Sequence, residues 1–392
     1  MELLSELVKL DTFGSSPIAI DPARCLRGLN QLSHCQACRD VCPARAIGNQ
    51  NPPGIELEAC LMCRACLPVC PTGAIQAHDV VTPLMKCAAR ASGHSIDVLC
   101  EHHPKPETGP QGSEVGISIR GCLAAFGVGG LLQLGTSGLK AVILRLDHCK
   151  DCELRALQPV IEERLESTKS ILDQWNQADV LSALYDPEGR VGPTRAVWDA
   201  ENPPLTRREI FRLSTLLGRL PGNGEVGTET ASGRHLNPDR KRIVDALGRL
   251  YRSNSTDNPS TIKARGFFRL SISEECNACG NCSRTCPTEA LIYRERNEKE
   301  FRFIFKPQLC IGCELCARIC PVNAIDIALD PDLSYVFSND SGNVICQEYI
   351  RRCVRCGTPI VAETRDNLCM LCKSRRENPY GMRQSPFPYT KP

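Results

Sequence analysis

The chain has 392 residues and a formal net charge of +2, and 26 of its residues are cysteine. This length exceeds what one hydrophobic core supports, so we expect several small modules. Most cysteines recur at two-residue spacings followed by proline, which indicates metal ligation and argues against a disulfide framework. The start, MELLSELVKL, has no basic segment, long apolar core or small-residue cleavage site, so we expect no signal peptide and a cytoplasmic location.

Residues 1–80 contain two related cysteine runs. The segment CLMCRACLPVCP, from Cys60 to Pro71, has the spacing CxxCxxCxxxCP that is typical of bacterial ferredoxins. Its mate, CLRGLNQLSHCQACRDVCP, has Leu32 where the first cysteine is expected. We expect Cys25 to replace that cysteine through a loop insertion, and His34 is the alternative ligand.

Paired runs of this kind exchange their last cysteines, so residues 1–80 resemble a two-cluster ferredoxin domain. The predicted [4Fe-4S] ligand sets are Cys25, Cys35, Cys38 and Cys70 for one cluster and Cys60, Cys63, Cys66 and Cys42 for the other. Structural zinc also takes four thiolates and is the competing interpretation. The strict repeated spacing that ends in Cys-Pro favours clusters.

Residues 81–185 predict a small parallel α/β domain of flavodoxin-like type. Three short β-rich runs, SIDVLC, VGISIRGC and AVILRLDHC, each lead to a cysteine. Between the last two, LAAFGVGGLLQLG predicts a helix, which gives a right-handed βαβ unit. Residues past the ends of parallel strands gather along one edge, so Cys100, Cys122, Cys149 and Cys152 are predicted to converge. The apolar stretch from Gly121 to Leu146 is interrupted by GTSG and Lys140, which indicates buried soluble structure and not a membrane span.

This arrangement resembles the delta, iron–sulfur subunit of methyl-viologen-reducing hydrogenase over roughly residues 95–185. The turn RGCLAAFG lacks the arginine that follows the cysteine in that family, and the first strand ends in one cysteine, where the family has a pair. The resemblance implies a [2Fe-2S] centre and a docking role between a redox enzyme and its electron acceptor. The alternatives are zinc, a ligand set that includes His102, His103 or His148, and ordinary buried cysteines. Cys87 lies on the helix predicted before the first strand, and we expect it to pack in the core and not to bind a metal.

Residues 186–265 have no cysteine and many Pro, Gly, Ser and Thr residues, which is typical of a linker. Two amphipathic helices are predicted within it. TRREIFRLSTLLGRL opens with Thr206 and Glu209 at capping-box spacing, and KRIVDALGRLYR follows later. Either helix could pack into the core between the ferredoxin domains or dock a partner.

Residues 266–335 predict a second two-cluster ferredoxin domain. CNACGNCSRTCP and CIGCELCARICP both have the ferredoxin spacing, and ALIYRERNEKEFRFIF between them predicts a hairpin. The predicted [4Fe-4S] ligand sets are Cys276, Cys279, Cys282 and Cys320, and Cys310, Cys313, Cys316 and Cys286. Each oxidised cubane carries about −2, so four of them bring the formal charge to about −6 and argue against a nucleic-acid partner.

Residues 336–380 predict a zinc ribbon. CVRCGTPIVAETRDNLCMLC places two CxxC pairs twelve residues apart, which suits tetrahedral zinc held by Cys353, Cys356, Cys369 and Cys372. Iron is the competing metal. Cys346 is left without a role, and the proline-rich residues 381–392 predict an extended tail.

The sequence thus predicts an α+β multidomain protein that relays single electrons and performs no bond chemistry itself. The segment GVGG lacks the GxGxxG frame and the acidic residue of a dinucleotide site, so the catalytic chemistry is expected on a partner in a hetero-oligomer. That partner could be a molybdenum or tungsten oxidoreductase, a hydrogenase or a flavoprotein complex. An iron–sulfur scaffold and a redox-sensing regulator are the alternative functions.

Overall fold

The computed structural model describes residues 18–185, 191–204, 236–253, 263, 265–296, 299–362 and 366–379. The contacts divide the chain into two compact units, one of Met1–Leu29 with Gln36–Leu250 and the other of Asn30–Cys35 with Tyr251–Pro392. The helix predicted at residues 206–220 and the predicted tail lie outside the described residues. None of the described helices is long and apolar enough to cross a membrane.

The N-terminal region of the first unit is built around two short antiparallel strands. Strand β1 (Ile18–Ile20) pairs with β2 (Ile75–Ala77). Three single-turn helices lie between them in sequence: α1 (Leu26–Leu29), α2 (Ala37–Asp40) and α3 (Cys66–Val69). Such short helices are not stable alone, so their positions depend on tertiary packing. The apolar core that they share with the strands includes two cysteines and consists of Ile18, Ile47, Cys66, Cys70, Ala74 and Ile75.

The α/β domain follows and contains the predicted strands. Helix α4 (Val81–Arg90) precedes β3 (Ser95–Cys100), β4 (Thr108–Pro110), β5 (Val115–Ile119), helix α5 (Val128–Gly135), β6 (Ala141–Arg145), helix α6 (Gln158–Leu172), β7 (Leu181–Leu184), β8 (Val191–Thr194) and β9 (Ala196–Asp199). Five of these strands form one sheet in the order β7-β6-β3-β5-β9. All of its pairs are parallel, and β3 lies between β5 and β6. The predicted strand–helix–strand unit is therefore present.

Helix α5 begins later than the sequence predicts. Leu123–Ala125 forms a separate 3₁₀ turn, in which the backbone N–H of Ala124 donates to the sulfur of Cys122 at 3.4 Å. Regular helix starts only at Val128. The stretch predicted to be buried soluble structure thus contains α5 and β6, both of them largely buried in this domain.

Residues 191–199 contribute two strands, although the sequence analysis places them in a linker. Strand β8 pairs with β4, and β9 adds a fifth strand beside β5. Arg195, which lies between β8 and β9, anchors these two strands, because its guanidinium binds both carboxylate oxygens of Asp97 on β3. Asp97 is fully buried. A buried carboxylate requires such partners, and this ion pair therefore ties the added strand to the centre of the sheet.

Helix α7 (Pro238–Ser253) corresponds to the second predicted linker helix. Its residues Leu247 and Leu250 are buried. The carboxylate of Asp239 accepts the backbone N–H groups of Gly129 and Gly130, at 3.0 and 2.9 Å. The part of α7 that belongs to the first unit therefore packs into its core, and partner docking stays a prediction.

The second unit contains the other ferredoxin-type region and the cysteine-rich end. Its elements are β10 (Phe268–Ile272), α8 (Asn281–Thr285), β11 (Leu291–Arg296), β12 (Glu300–Phe305), α9 (Leu315–Arg318), β13 (Ile325–Leu329), α10 (Leu333–Phe337), β14 (Asn343–Arg352), β15 (Pro359–Val361) and α11 (Met370–Glu377). Strand β10 pairs with β13, and a four-stranded sheet has the order β11-β12-β14-β15. The predicted hairpin is β11 and β12, and Phe301, Phe303 and Phe305 alternate into one buried face.

Candidate metal centres

Two sets of four cysteines come together in the ferredoxin-type region of the second unit. Burial and the neighbouring thiols Cys279 and Cys276 raise the pKa of Cys282 to about 12, and Cys320 adds to this shift. Burial likewise raises the pKa of Cys316 far above its ordinary value, with contributions from Cys310, Cys286 and Cys313 and a smaller one from Cys282. The last cysteine of each run therefore lies close to the first three of the other run, as the predicted ligand sets require. The division into two ligand sets stays a prediction.

One corresponding set comes together in the first unit. Burial is the main cause that raises the pKa of Cys66 to about 12, and the neighbouring thiol of Cys63 is the second cause. Cys38 and Cys42 make smaller contributions. Burial also raises the pKa of Cys63, to which Cys42 and Cys60 contribute. The structure thus brings Cys42, Cys60, Cys63 and Cys66 together.

The stretched run is only partly brought together. Cys25 and Cys38 pack against the same core that contains Cys70. Cys35 lies in the segment 30–35, which belongs to the second compact unit. His34, the alternative ligand, is exposed, whereas Cys25 is half-buried. Burial therefore favours Cys25 over His34 as the replacement ligand.

The two ferredoxin-type regions share a local device after the Cys-Pro step. The backbone N–H of Ala74 donates to the sulfur of Cys70 at 3.1 Å, and that of Ala324 donates to Cys320 at 3.3 Å. In each bond the donor lies four residues after the cysteine. Hydrogen bonds to ligand sulfurs are also one of the means by which proteins set cluster potentials.

The α/β domain brings its four cysteines to one cavity. Cys100 ends β3, Cys122 follows β5, and Cys149 and Cys152 follow β6, so all lie at the carboxyl edge of three adjacent parallel strands. The walls of the cavity consist of these cysteines with His102, Leu123, Leu154, Gln158 and Ile161. The order in which strands are added to the sheet changes direction at β3, since β5 lies on one side of it and β6 on the other. Ligands of open parallel sheets bind at such a switch point.

The environment of these four thiols suits bound metal. Burial, with contributions from the other thiols of the cavity, raises the pKa values of Cys122 and Cys149 to about 12. A bound metal offsets this effect, because it binds cysteine in the thiolate form. Backbone N–H groups already point at two of them, from Ala124 to Cys122 and from Leu154 to Cys152, both at 3.4 Å.

The histidines near this cavity do not form an open ligand set. His103, Asp147 and His148 place their ligand atoms within 4.8 Å of one another. However, Nδ1 of His103 accepts the N–H of Lys105 at 3.2 Å, and both oxygens of Asp147 bind Arg145. Burial opposes ionisation of Asp147, but its hydrogen bonds from Arg145 and His103 prevail and hold its pKa well below the usual range. This group is a satisfied buried polar network. His102 lines the cavity but is exposed.

The distances between sulfur atoms distinguish a site for a single metal ion from the other sets of four cysteines. A tetrahedral zinc with Zn–S bonds of about 2.3 Å places its sulfurs about 3.8 Å apart. Among the described residues, only one group of cysteines has all its sulfurs within 4.8 Å of one another: Cys353, Cys356, Cys369 and Cys372. Cys356 and Cys369 are 3.6 Å apart there. The sets in the ferredoxin-type regions and in the α/β domain are wider, as polynuclear clusters require.

The narrow set has a small apolar cluster of its own, beside strands β14 and β15. Three of its cysteines are buried together with Ile360, while Cys356 is exposed. The N–H of Cys369 donates to Cys353 at 3.2 Å and is the main cause that lowers the pKa of that thiol. This hydrogen bond favours the thiolate form, which is the form that binds a divalent ion.

Two residues near these centres have no signal in the sequence. Arg164 occupies an ordinary position on α6, and Asp239 precedes the apolar part of α7. Both side chains are buried, and both bind backbone groups that are distant in sequence. Only the tertiary structure identifies them. Cys87 is fully buried on α4, as expected of a core cysteine.

Cys346, which has no role in the sequence analysis, lies on β14 close to a predicted cluster ligand. The two side chains pack in the same apolar cluster, and the interaction with the Cys346 thiol lowers the pKa of Cys276. Cys276 is one of the cysteines assigned to a cubane.

Comparison with protein families gives two matches. Residues 275–324 match a 4Fe-4S dicluster domain, and residues 33–81 match the LdpA Fe-S cluster-binding domain. No curated protein matches the chain significantly. The resemblance of the α/β domain to a hydrogenase subunit stays a prediction. The two matched ranges contain most of the ferredoxin-type cysteines, and the chain is therefore an iron–sulfur protein with ferredoxin-like cluster-binding regions.

Proposed function

We propose that this protein is an electron-transfer junction. Four [4Fe-4S] clusters occupy the two ferredoxin-like regions, and a fifth iron–sulfur centre occupies the cavity of the α/β domain. The observation that carries the proposal is the convergence of Cys100, Cys122, Cys149 and Cys152 at the switch point of the parallel sheet. A redox centre at that place adds a point at which the path of the electrons can branch, beyond the two ferredoxin-like relays.

The fifth centre is a cluster in this proposal and not a zinc ion. Its four sulfurs do not meet the spacing of the single-ion group at residues 353–372. Its N–H donors to sulfur are of the kind that tunes iron–sulfur potentials. The resemblance to the hydrogenase subunit implies two irons. The narrow group at the end of the chain holds a structural zinc, which supplies folding energy to a small fold and no chemistry.

The burial of the cluster ligands supports electron transfer over cluster delivery. A scaffold that hands clusters to clients requires exposed ligands. All of the proposed cluster cysteines are buried or half-buried, and among the cysteines only Cys356, in the zinc site, is exposed. A low-dielectric, stable environment suits a resident redox centre.

Catalytic chemistry is proposed for a partner polypeptide in a hetero-oligomer. The glycine-rich start of α5 is the segment that most resembles a phosphate site, since a helix N-terminus presents free N–H donors. Here, however, the N–H groups of Gly129 and Gly130 donate to the carboxylate of Asp239 and are not available to a phosphate. The partner is a molybdenum or tungsten oxidoreductase, a hydrogenase or a flavoprotein complex.

Anaerobic purification from the native host, with bound polypeptides retained, tests this function. Metal analysis is expected to give about 18 iron atoms and about one zinc per chain, from four cubanes, one two-iron centre and the ribbon. A copurified redox enzyme would identify the catalytic partner. About 16 iron atoms would remove the fifth centre and with it the junction. Iron that is labile and far below this stoichiometry would indicate a scaffold.

A further inference from the structure

A buried arginine lies between the fifth centre and one ferredoxin-like cluster site. Arg164 on α6 is only 8% exposed. One nitrogen of its guanidinium, Nη1, donates to the carbonyl oxygens of Ala124 and Phe126, at 2.6 and 2.9 Å. The other, Nη2, donates to the carbonyl oxygen of Ala65 at 3.2 Å. One side chain thus binds the backbone of two cysteine loops that are far apart in sequence.

Each of the two alanines belongs to a cysteine loop. The N–H of Ala124 donates to the sulfur of Cys122 at 3.4 Å, and Ala65 lies two residues after Cys63. Through its carbonyl, each alanine therefore joins its cysteine loop to Arg164. The guanidinium fork, with its fixed planar donors, holds both residues at a defined separation.

Further contacts place the two sites side by side. The guanidinium of Arg64, which precedes Ala65, donates to the carbonyl of Arg120 at 3.0 Å. Cys63 and Cys122 are close enough that each interacts with the charge of Arg164, and that Cys63 contributes to the raised pKa of Cys122. All of these residues belong to the first compact unit.

We propose that the cubane held by Cys42, Cys60, Cys63 and Cys66 exchanges electrons directly with the fifth centre, and that Arg164 positions the two sites and stabilises their reduced states. In each transfer one electron passes between the sites, so that the first is oxidised and the second is reduced. No bond forms or breaks, and no proton moves. The inference rests on the proposed function, since it requires the fifth centre to be present.

The electrostatic effect of Arg164 has a definite sign. A cation buried beside a centre favours the state with one more electron, and weak screening in the interior makes this effect larger than at the surface. Removal of the charge therefore lowers the reduction potentials of both neighbouring centres.

The test is an EPR-monitored redox titration of the full-length holoprotein, with wild type compared with R164M and R164K. In R164M, the ratio of reduced to oxidised fifth centre at a fixed potential is expected to fall about tenfold, which for one electron is about 59 mV. One cubane signal should shift in the same direction. R164K keeps the charge and should lie closer to wild type. R242M is the matched control, because Arg242 is also largely buried but binds Asp79 and Thr82.

Pulsed EPR of the reduced wild-type protein supplies a readout that does not depend on any variant. Dipolar coupling between the fifth centre and one cubane is expected, and its absence would overturn the direct exchange. R164M with full iron content and wild-type potentials would overturn the role of Arg164. A wild-type protein with no fifth-centre signal would instead overturn the proposed function, so the two failures are distinguishable.

Discussion

The carboxylate of Asp239 is predicted to hold the start of helix α5, which lies directly after the cysteine loop of the fifth centre. Asp239 is 6% exposed and accepts N–H groups from Gly129 and Gly130, at 3.0 and 2.9 Å. Replacement by alanine leaves two buried donors without partners. The substitution D239A should therefore loosen α5 specifically.

The magnitude follows from the charge and burial of this group. A hydrogen bond to a charged group contributes about 1.5–3 kcal/mol, but burial raises the pKa of Asp239, which shows that desolvation of the carboxylate offsets part of this gain. We therefore expect the opening free energy of α5 to fall by about 2 kcal/mol, and amide exchange there to accelerate roughly 30-fold. The variant D239N, which keeps one acceptor oxygen, should lie between alanine and wild type.

Hydrogen–deuterium exchange of the holoprotein measures this effect locally. The control is D245A, because Asp245 is exposed on the same helix α7. Exchange of the amides in Val128–Gly135 should accelerate in D239A and not in D245A. Unchanged exchange of α5 in D239A would refute the reasoning, since the two hydrogen bonds would then contribute nothing to the helix.

Three further predictions address other parts of the chain. Gly312 has φ +65°, and a Cβ added there would clash with the Phe268 ring. The substitution G312A should therefore lower the iron content by up to about four atoms, as measured by metal analysis. An unchanged iron content would contradict this prediction. The substitution C369S should release zinc without loss of iron, and simultaneous loss of iron would argue that the narrow site is an iron centre. The substitution R195M removes a charged hydrogen-bond partner of the buried Asp97, which keeps Arg145 and Ser113, so we expect a cost of about 1.5–3 kcal/mol and faster hydrogen exchange of β9 first. Protection of β9 equal to wild type would refute the anchoring role.

The ferredoxin-like regions and the strands of the α/β domain could be predicted because their signals are local. Cluster ligands require fixed short spacings, and the buried parallel strands are apolar runs that can be read directly from the sequence. The convergence of Cys100 with Cys122 followed from one rule about parallel strand ends, and the structure places both in one cavity.

The rest depends on contacts between residues that are far apart in sequence. Strand β9 lies in the range 186–265, whose Pro, Gly, Ser and Thr content predicts a linker, and it becomes a strand only beside β5. Arg164 and Asp239 look like ordinary polar residues on amphipathic helices until the loops that they bind are known. The sequence predicts the start of α5 too early, because the pattern of apolar residues does not indicate the hydrogen bond from the N–H of Ala124 to the sulfur of Cys122.

The centre in the α/β domain is tested most directly by comparing wild type with the double variant C149S/C152S in anaerobic metal analysis and reductive EPR. We predict a loss of about two iron atoms and of one EPR signal, with the cubane signals and zinc unchanged. The variant C87A, which alters a buried cysteine outside the cavity, should keep the full iron content. Identical iron content and spectra in C149S/C152S and wild type would contradict the account and leave two ferredoxin-like relays without a junction.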